Sequence, residues 1–147
     1  QVVENDPTEQ GERAVLNLGH TIGHAIEKLK NFELLHGQCV ALGTVAAAYI
    51  SWKKELIEME EYYEIRDMFV PFNLPISADD LDVAKIVALT KSDKKMVGDK
   101  IKFIVLEKNR AGSMAMWVAP IRVYNHLSRE IPFVLNLSIL PIRETVV

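Results

Sequence analysis

Cysteine is nearly absent from this sequence: 147 residues contain one thiol, Cys39. A single cysteine excludes an internal disulfide framework and fits a reducing, cytoplasmic setting. Cys39 itself is expected to be a small core hydrophobe. Long apolar runs are missing too. The longest, Cys39 to Ile50, contains Gly43 and Thr44 and falls short of the roughly 20 residues that span a bilayer, so it suits a buried helix and implies no membrane partner. The opening Gln1-Val-Val-Glu-Asn-Asp-Pro7 lacks the charged and apolar regions of a secretory signal. There is no basic run: 17 Lys and Arg against 20 Asp and Glu give a net charge of −3, which leaves no electrostatic footprint for nucleic acid. What remains, 49% hydrophobic and 25% charged residues, is the balance of a soluble globular protein. The length suffices for one domain with a real core and falls short of a two-domain enzyme.

Periodicity predicts helices in most of the first 90 residues. Asp6 or Thr8 offers a helix cap, and Val15, Leu16, Leu18, Ile22, Ile26 and Leu29 recur at three- and four-residue spacing, predicting one helix from Glu12 to about Lys30. Asn31-Phe32-Glu33 breaks it. A second helix is expected from Gly37 to Glu55, apolar nearly all round and therefore central. A third covers Glu58 to Phe69. After the turn marked by Pro71 and Pro75, a fourth starts between Ser77 and Asp80 and runs through Ile86 to Leu89. Lys100 to Glu107 alternates and then runs apolar, as a strand does. The fold class is mainly α, with one late β-strand.

Lysine is absent after Lys108. All eleven lysines lie at or before that position, whereas four of six arginines lie after it, with only two acids, Glu130 and Glu144. Residues 1–108 carry a net −5 and residues 109–147 a net +2. Pro120, Pro132 and Pro141 are expected to interrupt every element there. Residues 1–108 thus form the domain, and 109–147 a divergent tail. The tail is either a natural extension or the product of a shifted reading frame or cloning junction, and the abrupt change in lysine usage favours the second origin.

Three of four histidines, His20, His24 and His36, fall within seventeen residues. His20 and His24, four apart on a predicted helix, project from one face. A helical His-x3-His pair with a third ligand from a later segment offers a divalent metal a site with one open position. Spacing alone therefore proposes all three as zinc ligands, against the bland alternative of two helix-surface histidines and one cap. Gly19 and Gly23, each costing about 1 kcal/mol inside a helix, imply that a ligand or another helix packs close to the backbone.

Three blocks carry a further resemblance: Arg13-Ala-Val-Leu-Asn17-Leu-Gly-His20-Thr-Ile-Gly-His24-Ala-Ile-Glu27, then Leu35-His36-Gly37-Gln38-Cys-Val-Ala-Leu-Gly43, then Ser92-Asp93-Lys94-Lys95 with Gly98 and Ile101 to Leu106. In this order and spacing they closely resemble the 3-dehydroquinate synthase family, over Gln1 to about Lys108. The resemblance implies a multi-helical C-terminal domain whose N-terminal Rossmann-like, NAD-binding partner is absent here, so that the fragment is inactive alone. It implies a divalent metal, zinc or cobalt, held by His20, His36 and a glutamate from an upstream segment, with His24 moving protons instead of ligating. Arg13 is implied at the substrate carboxylate, Asn17 at a polar contact and Lys94 at the phosphate of a small sugar-phosphate substrate, in a homodimeric parent. The residue types suit the task. Arginine forks onto a planar carboxylate, lysine meets phosphate as a point charge, and histidine titrates near neutrality.

One departure is Gln38, where many members of the family have glutamate, and an effect on metal affinity is expected from it. Two other readings stay open. One is another sugar-phosphate cyclase of the same superfamily, and the other is a non-catalytic helical metal-binding module.

Overall fold

The structure, a computed structural model, describes residues 16–78, 80–92, 96–97, 100–108, 112 and 114–122. Among them the elements run α1 (His20–Leu29), α2 (His36–Lys53), α3 (Met59–Asp67), a 3-10 turn (Val70–Phe72), α4 (Val83–Lys91), β1 (Met96–Val97), β2 (Lys100–Lys108) and β3 (Met114–Arg122).

The most apolar helix is central, as its composition requires. Cys39, Leu42, Val45 to Ile50 and Ser51 of α2 are all buried. Around α2 pack α1, α3 and β2, and α4 lies against α1. Ile22 and Ile26 of α1, Ile86 of α4, and Phe103 and Val105 of β2 close the core. At its far end Trp52 stacks on Tyr62 at 5.4 Å between centroids, with Tyr49 edge-on to both.

The α2–β2 seam is polar at one point. The buried Ser51 hydroxyl donates to the Ala47 carbonyl (2.8 Å) and accepts the Leu106 N–H (2.9 Å), and Lys108 N–H donates to the Leu56 carbonyl nearby (2.9 Å). Helix α4 starts three or more residues later than expected. Asp82, with extended backbone, accepts the Lys85 N–H and caps it, a device worth about 1 kcal/mol.

Two expectations need correction. The first helix does not run unbroken into α1: Gly19 has φ +77°, outside the helical region, so α1 begins at His20. The expected cap at Asp6 or Thr8 lies outside the described residues. The late strand is present as β2, but it is the centre of a three-stranded antiparallel sheet of order β1-β2-β3. Strand β3 lies beyond Lys108 and pairs with β2 along its whole length, Lys100 opposite Arg122 and Lys108 opposite Met114. Pro120 does not interrupt it: among the described residues β3 is the edge strand of the sheet, where a missing N–H is tolerated. The break after α1 is where it was expected. Asn31 (φ 49°) and Phe32 (φ 62°) are both left-handed, which stops the helix and turns the chain towards α2.

Candidate metal centre

A contact free of side chains lets α1 and α2 approach closely. A Cβ on Gly23 would lie 2.9 Å from the Cys39 carbonyl oxygen, and one on Gly43 would lie 2.8 Å from the Gly23 nitrogen. Gly19 is equally enclosed: a Cβ there would meet the Thr44 nitrogen at 2.6 Å. The close partner that the two glycines of the histidine block implied is therefore a helix, α2.

This crossing brings the imidazoles together. His20 opens α1, His24 stands one turn on, and His36 opens α2. Their ring centroids are 5.3, 5.5 and 5.7 Å apart, and one nitrogen from each lies within 4.8 Å of the others. Tetrahedral zinc with imidazole bonds of about 2.0–2.1 Å needs donors roughly 3.4 Å apart, which small side-chain rotations reach from here. Among the described residues, His20, His24 and His36 are the group of histidine, cysteine and acidic side chains that converges this way. His20 and His24 are half-buried and His36 is exposed. One side of the cluster thus rests on the protein while the other faces outward, as a substrate-accessible site requires.

His20 and His36 each meet an oxygen at Nδ1. His20 Nδ1 lies 3.2 Å from the Leu18 carbonyl oxygen, and His36 Nδ1 lies 3.3 Å from Glu27 Oε2. A carbonyl oxygen only accepts, so the His20 Nδ1 carries the proton in that contact, leaving Nε2 with its lone pair. The residues therefore fit a divalent cation. Cys39 does not join them: it is fully buried, and burial, reinforced by the Glu27 carboxylate, pushes its thiol up and keeps it neutral. It is the core residue expected.

The remaining expected site residues are not gathered here. Asn17 is half-buried in the 3-10 turn leading to Gly19. Arg13 and Lys94 lie outside the described residues. The Gln38 side chain points back along its own helix, with Oε1 accepting the Leu35 N–H at 3.0 Å. It caps α2, as half of a capping box does. The contact that sequence reasoning missed is Glu27–His36. Glu27 was visible as a member of the motif, but the left-handed turn that folds α2 back against it was not.

Comparison with known proteins identifies the family and the fold. Curated relatives named 3-dehydroquinate synthase include those of Acetivibrio thermocellus, 43% identical over 113 residues (77% of this chain, 31% of the relative), and Nitrosospira multiformis, 44% over 108 residues (73% and 30%). The protein from Ruminiclostridium cellulolyticum is 40% identical over 104 residues (71% and 29%). The chain thus spans 29–31% of the length of these relatives. Two solved structures of 2-deoxy-scyllo-inosose synthase, one complexed with carbaglucose-6-phosphate, NAD+ and Co2+, superpose with TM-scores of 0.66 and 0.69. Each covers 88% of this chain, and the chain covers 35% and 36% of them. At 24% identity that likeness establishes the sugar-phosphate cyclase fold alone. The sequence model of the family described as 3-dehydroquinate synthase C-terminal matches residues 1–96, and by that match, with His20, His24 and His36 all inside it, the chain belongs to the 3-dehydroquinate synthase C-terminal family.

Proposed function

We propose that this chain is the metal- and substrate-binding part of a 3-dehydroquinate synthase, which converts 3-deoxy-D-arabino-heptulosonate 7-phosphate to 3-dehydroquinate and phosphate in the cytoplasm. The observation that carries the reading is the convergence of three imidazoles within 4.8 Å in a chain 37–44% identical to proteins of that name. His20 and His36 would hold the metal, with a third ligand from a segment outside this chain. A divalent cation, zinc or cobalt, supplies Lewis-acid polarisation of the substrate hydroxyl there. NAD, held mainly by residues outside this chain, would supply the oxidation of that hydroxyl and the later reduction of the ketone.

His24 takes the proton released as that hydroxyl is oxidised and returns it when the ketone is reduced, a task suited to a group titrating near neutrality. Arg13 holds the carboxylate as a planar fork, Asn17 contributes a hydrogen bond, and Lys94 meets the phosphate until it leaves. These roles extend the motif positions and rest on no contact among the described residues. These 147 residues cover 29–31% of the length of the relatives, and the remainder of such an enzyme would supply the third ligand and the nucleotide site. Alone, the chain is therefore expected to bind zinc at roughly micromolar affinity or weaker and to show no turnover. In the homodimeric parent the same residues complete the cleft.

A second reading, another sugar-phosphate cyclase, draws on the fold shared with 2-deoxy-scyllo-inosose synthase. Phosphate release by the full-length parent with NAD, measured separately with heptulosonate 7-phosphate and with glucose 6-phosphate, separates the two. Turnover of the first alone supports the proposal. Turnover of glucose 6-phosphate alone replaces it with the second reading. Failure of both substrates leaves the helical metal-binding module.

A further inference from the structure

Glu27 lies seven residues beyond His20 on α1, three beyond His24, and therefore on the face that carries both. Its side chain is 18% exposed, against 54% for that of His36. An outward-facing imidazole thus leans on an enclosed carboxylate, Nδ1 to Oε2 at 3.3 Å. Glu27 is not one of the three side chains whose ligand atoms converge within 4.8 Å, so its carboxylate meets the cluster through the His36 ring.

We infer that Glu27 is the positioning residue of the metal centre, holding His36 with Nδ1 protonated and Nε2 aimed at the cation. As a carboxylate Glu27 can only accept, so the contact selects the Nδ1–H tautomer and leaves the Nε2 lone pair free. It also restricts the rotation of the ring, an effect for which metal-ligating histidines commonly use a carboxylate. His20 obtains the same pinning from the Leu18 carbonyl. Of the two supports, only Glu27 belongs to a side chain, so it is the one that substitution can remove. The need is greater at His36, which stands exposed at the first residue of α2 with little packing to fix its rotamer. The inference rests on His36 being a ligand.

The test is metal binding by the full 147-residue chain, with cobalt(II) followed by absorbance and zinc by calorimetry at one fixed pH. The variants are Glu27→Ala, Glu27→Gln, His20→Ala and His36→Ala, and the apo melting temperature is recorded for each. Glu27→Ala is expected to lose about 10–100-fold in affinity with its apo melt unchanged. Glu27→Gln is expected to fall between Ala and wild type, because its amide oxygen still accepts the Nδ1–H but carries no charge. Wild-type affinity in Glu27→Ala, while both histidine variants bind weakly, would overturn the inference and leave the metal centre standing. Wild-type affinity in the histidine variants would remove the metal centre itself. An altered cobalt ligand-field spectrum in saturated Glu27→Gln would make Glu27 a direct ligand and also overturn the positioning role. A lowered apo melt with undiminished affinity would reduce the contact to a tether between helices.

Discussion

Replacing Gly43 by alanine should show whether the helix crossing positions the ligands. The added Cβ would fall onto the Gly19 carbonyl and stand 2.8 Å from the Gly23 nitrogen, where ordinary contact begins at 3.4 Å. Backbone cannot rotate aside as a side chain does, so α1 and α2 must separate by about 0.6 Å at Gly23 and by more at the Gly19 carbonyl. Overpacking of this kind costs about 1–3 kcal/mol, whereas alanine returns at most about 1 kcal/mol of helix propensity. The clash wins. At roughly 2–4 °C per kcal/mol for a chain near this size, the melting temperature should fall by several degrees. Cobalt affinity should drop as well, since His20 and His36 lie on opposite sides of the widened crossing. Gly37→Ala is the control, because a Cβ there meets nothing within 4 Å: its melting temperature should hold or rise with helix propensity, and cobalt affinity should hold. A Gly43→Ala protein melting at or above wild type would refute the packing argument. A destabilised one with undiminished cobalt affinity would refute the link from packing to ligand geometry.

Other perturbations probe separate parts of the molecule. Ser51→Ala leaves the buried Leu106 N–H without its acceptor and should cost about 1–3 kcal/mol in denaturant unfolding. The Tyr62 hydroxyl is buried with no hydrogen-bond partner among the described residues, so Tyr62→Phe should be neutral or stabilising in the same assay. Burial also pushes the Tyr62 phenol up to about 12, above the value near 10 of an unfolded chain. The folded protein keeps a proton that the unfolded chain releases, so this contribution is full below about pH 10 and is lost as pH rises towards about 12. Alkaline unfolding followed by tyrosinate absorbance should lose that component in Tyr62→Phe. Gln38→Glu keeps an acceptor for the Leu35 N–H and adds a charge to the first turn of α2. A gain of about 0.3–1 kcal/mol in thermal unfolding is expected.

How far the sequence could be read depended on the range of the physics involved. The four-residue spacing of His20 and His24 needs only a helix to put them on one face, and the apolar circumference of α2 needs only burial, so both were legible. The start of α1 was not: a glycine in an apolar-periodic run reads as a tolerated defect, whereas at Gly19 it is a left-handed cap. Capping of α4 by Asp82 was likewise hidden behind Ser77 and Asp80, earlier residues of equal capping chemistry. The sheet was half-visible. β2 has its own alternation, but β3 depends on pairing with β2, and its Pro120 argued against any strand until its edge position was known. The Glu27–His36 contact depends on two consecutive left-handed residues, Asn31 and Phe32, neither of which is glycine, and local propensity gives no warning of such a turn.

That turn has a consequence for how the protein assembles. It joins α1 directly to α2, so His20 and His36 meet after closure of a loop of only sixteen positions, and closure entropy rises with the logarithm of loop length. The Ser51–Leu106 seam must close one of fifty-five. Pulsed hydrogen exchange during refolding should therefore find α1 and α2 protected before β2. If that order holds, the imidazole pair belongs to the portion of the chain that organises first, and a cation bound there would act as a template for a helical hairpin before the sheet has formed.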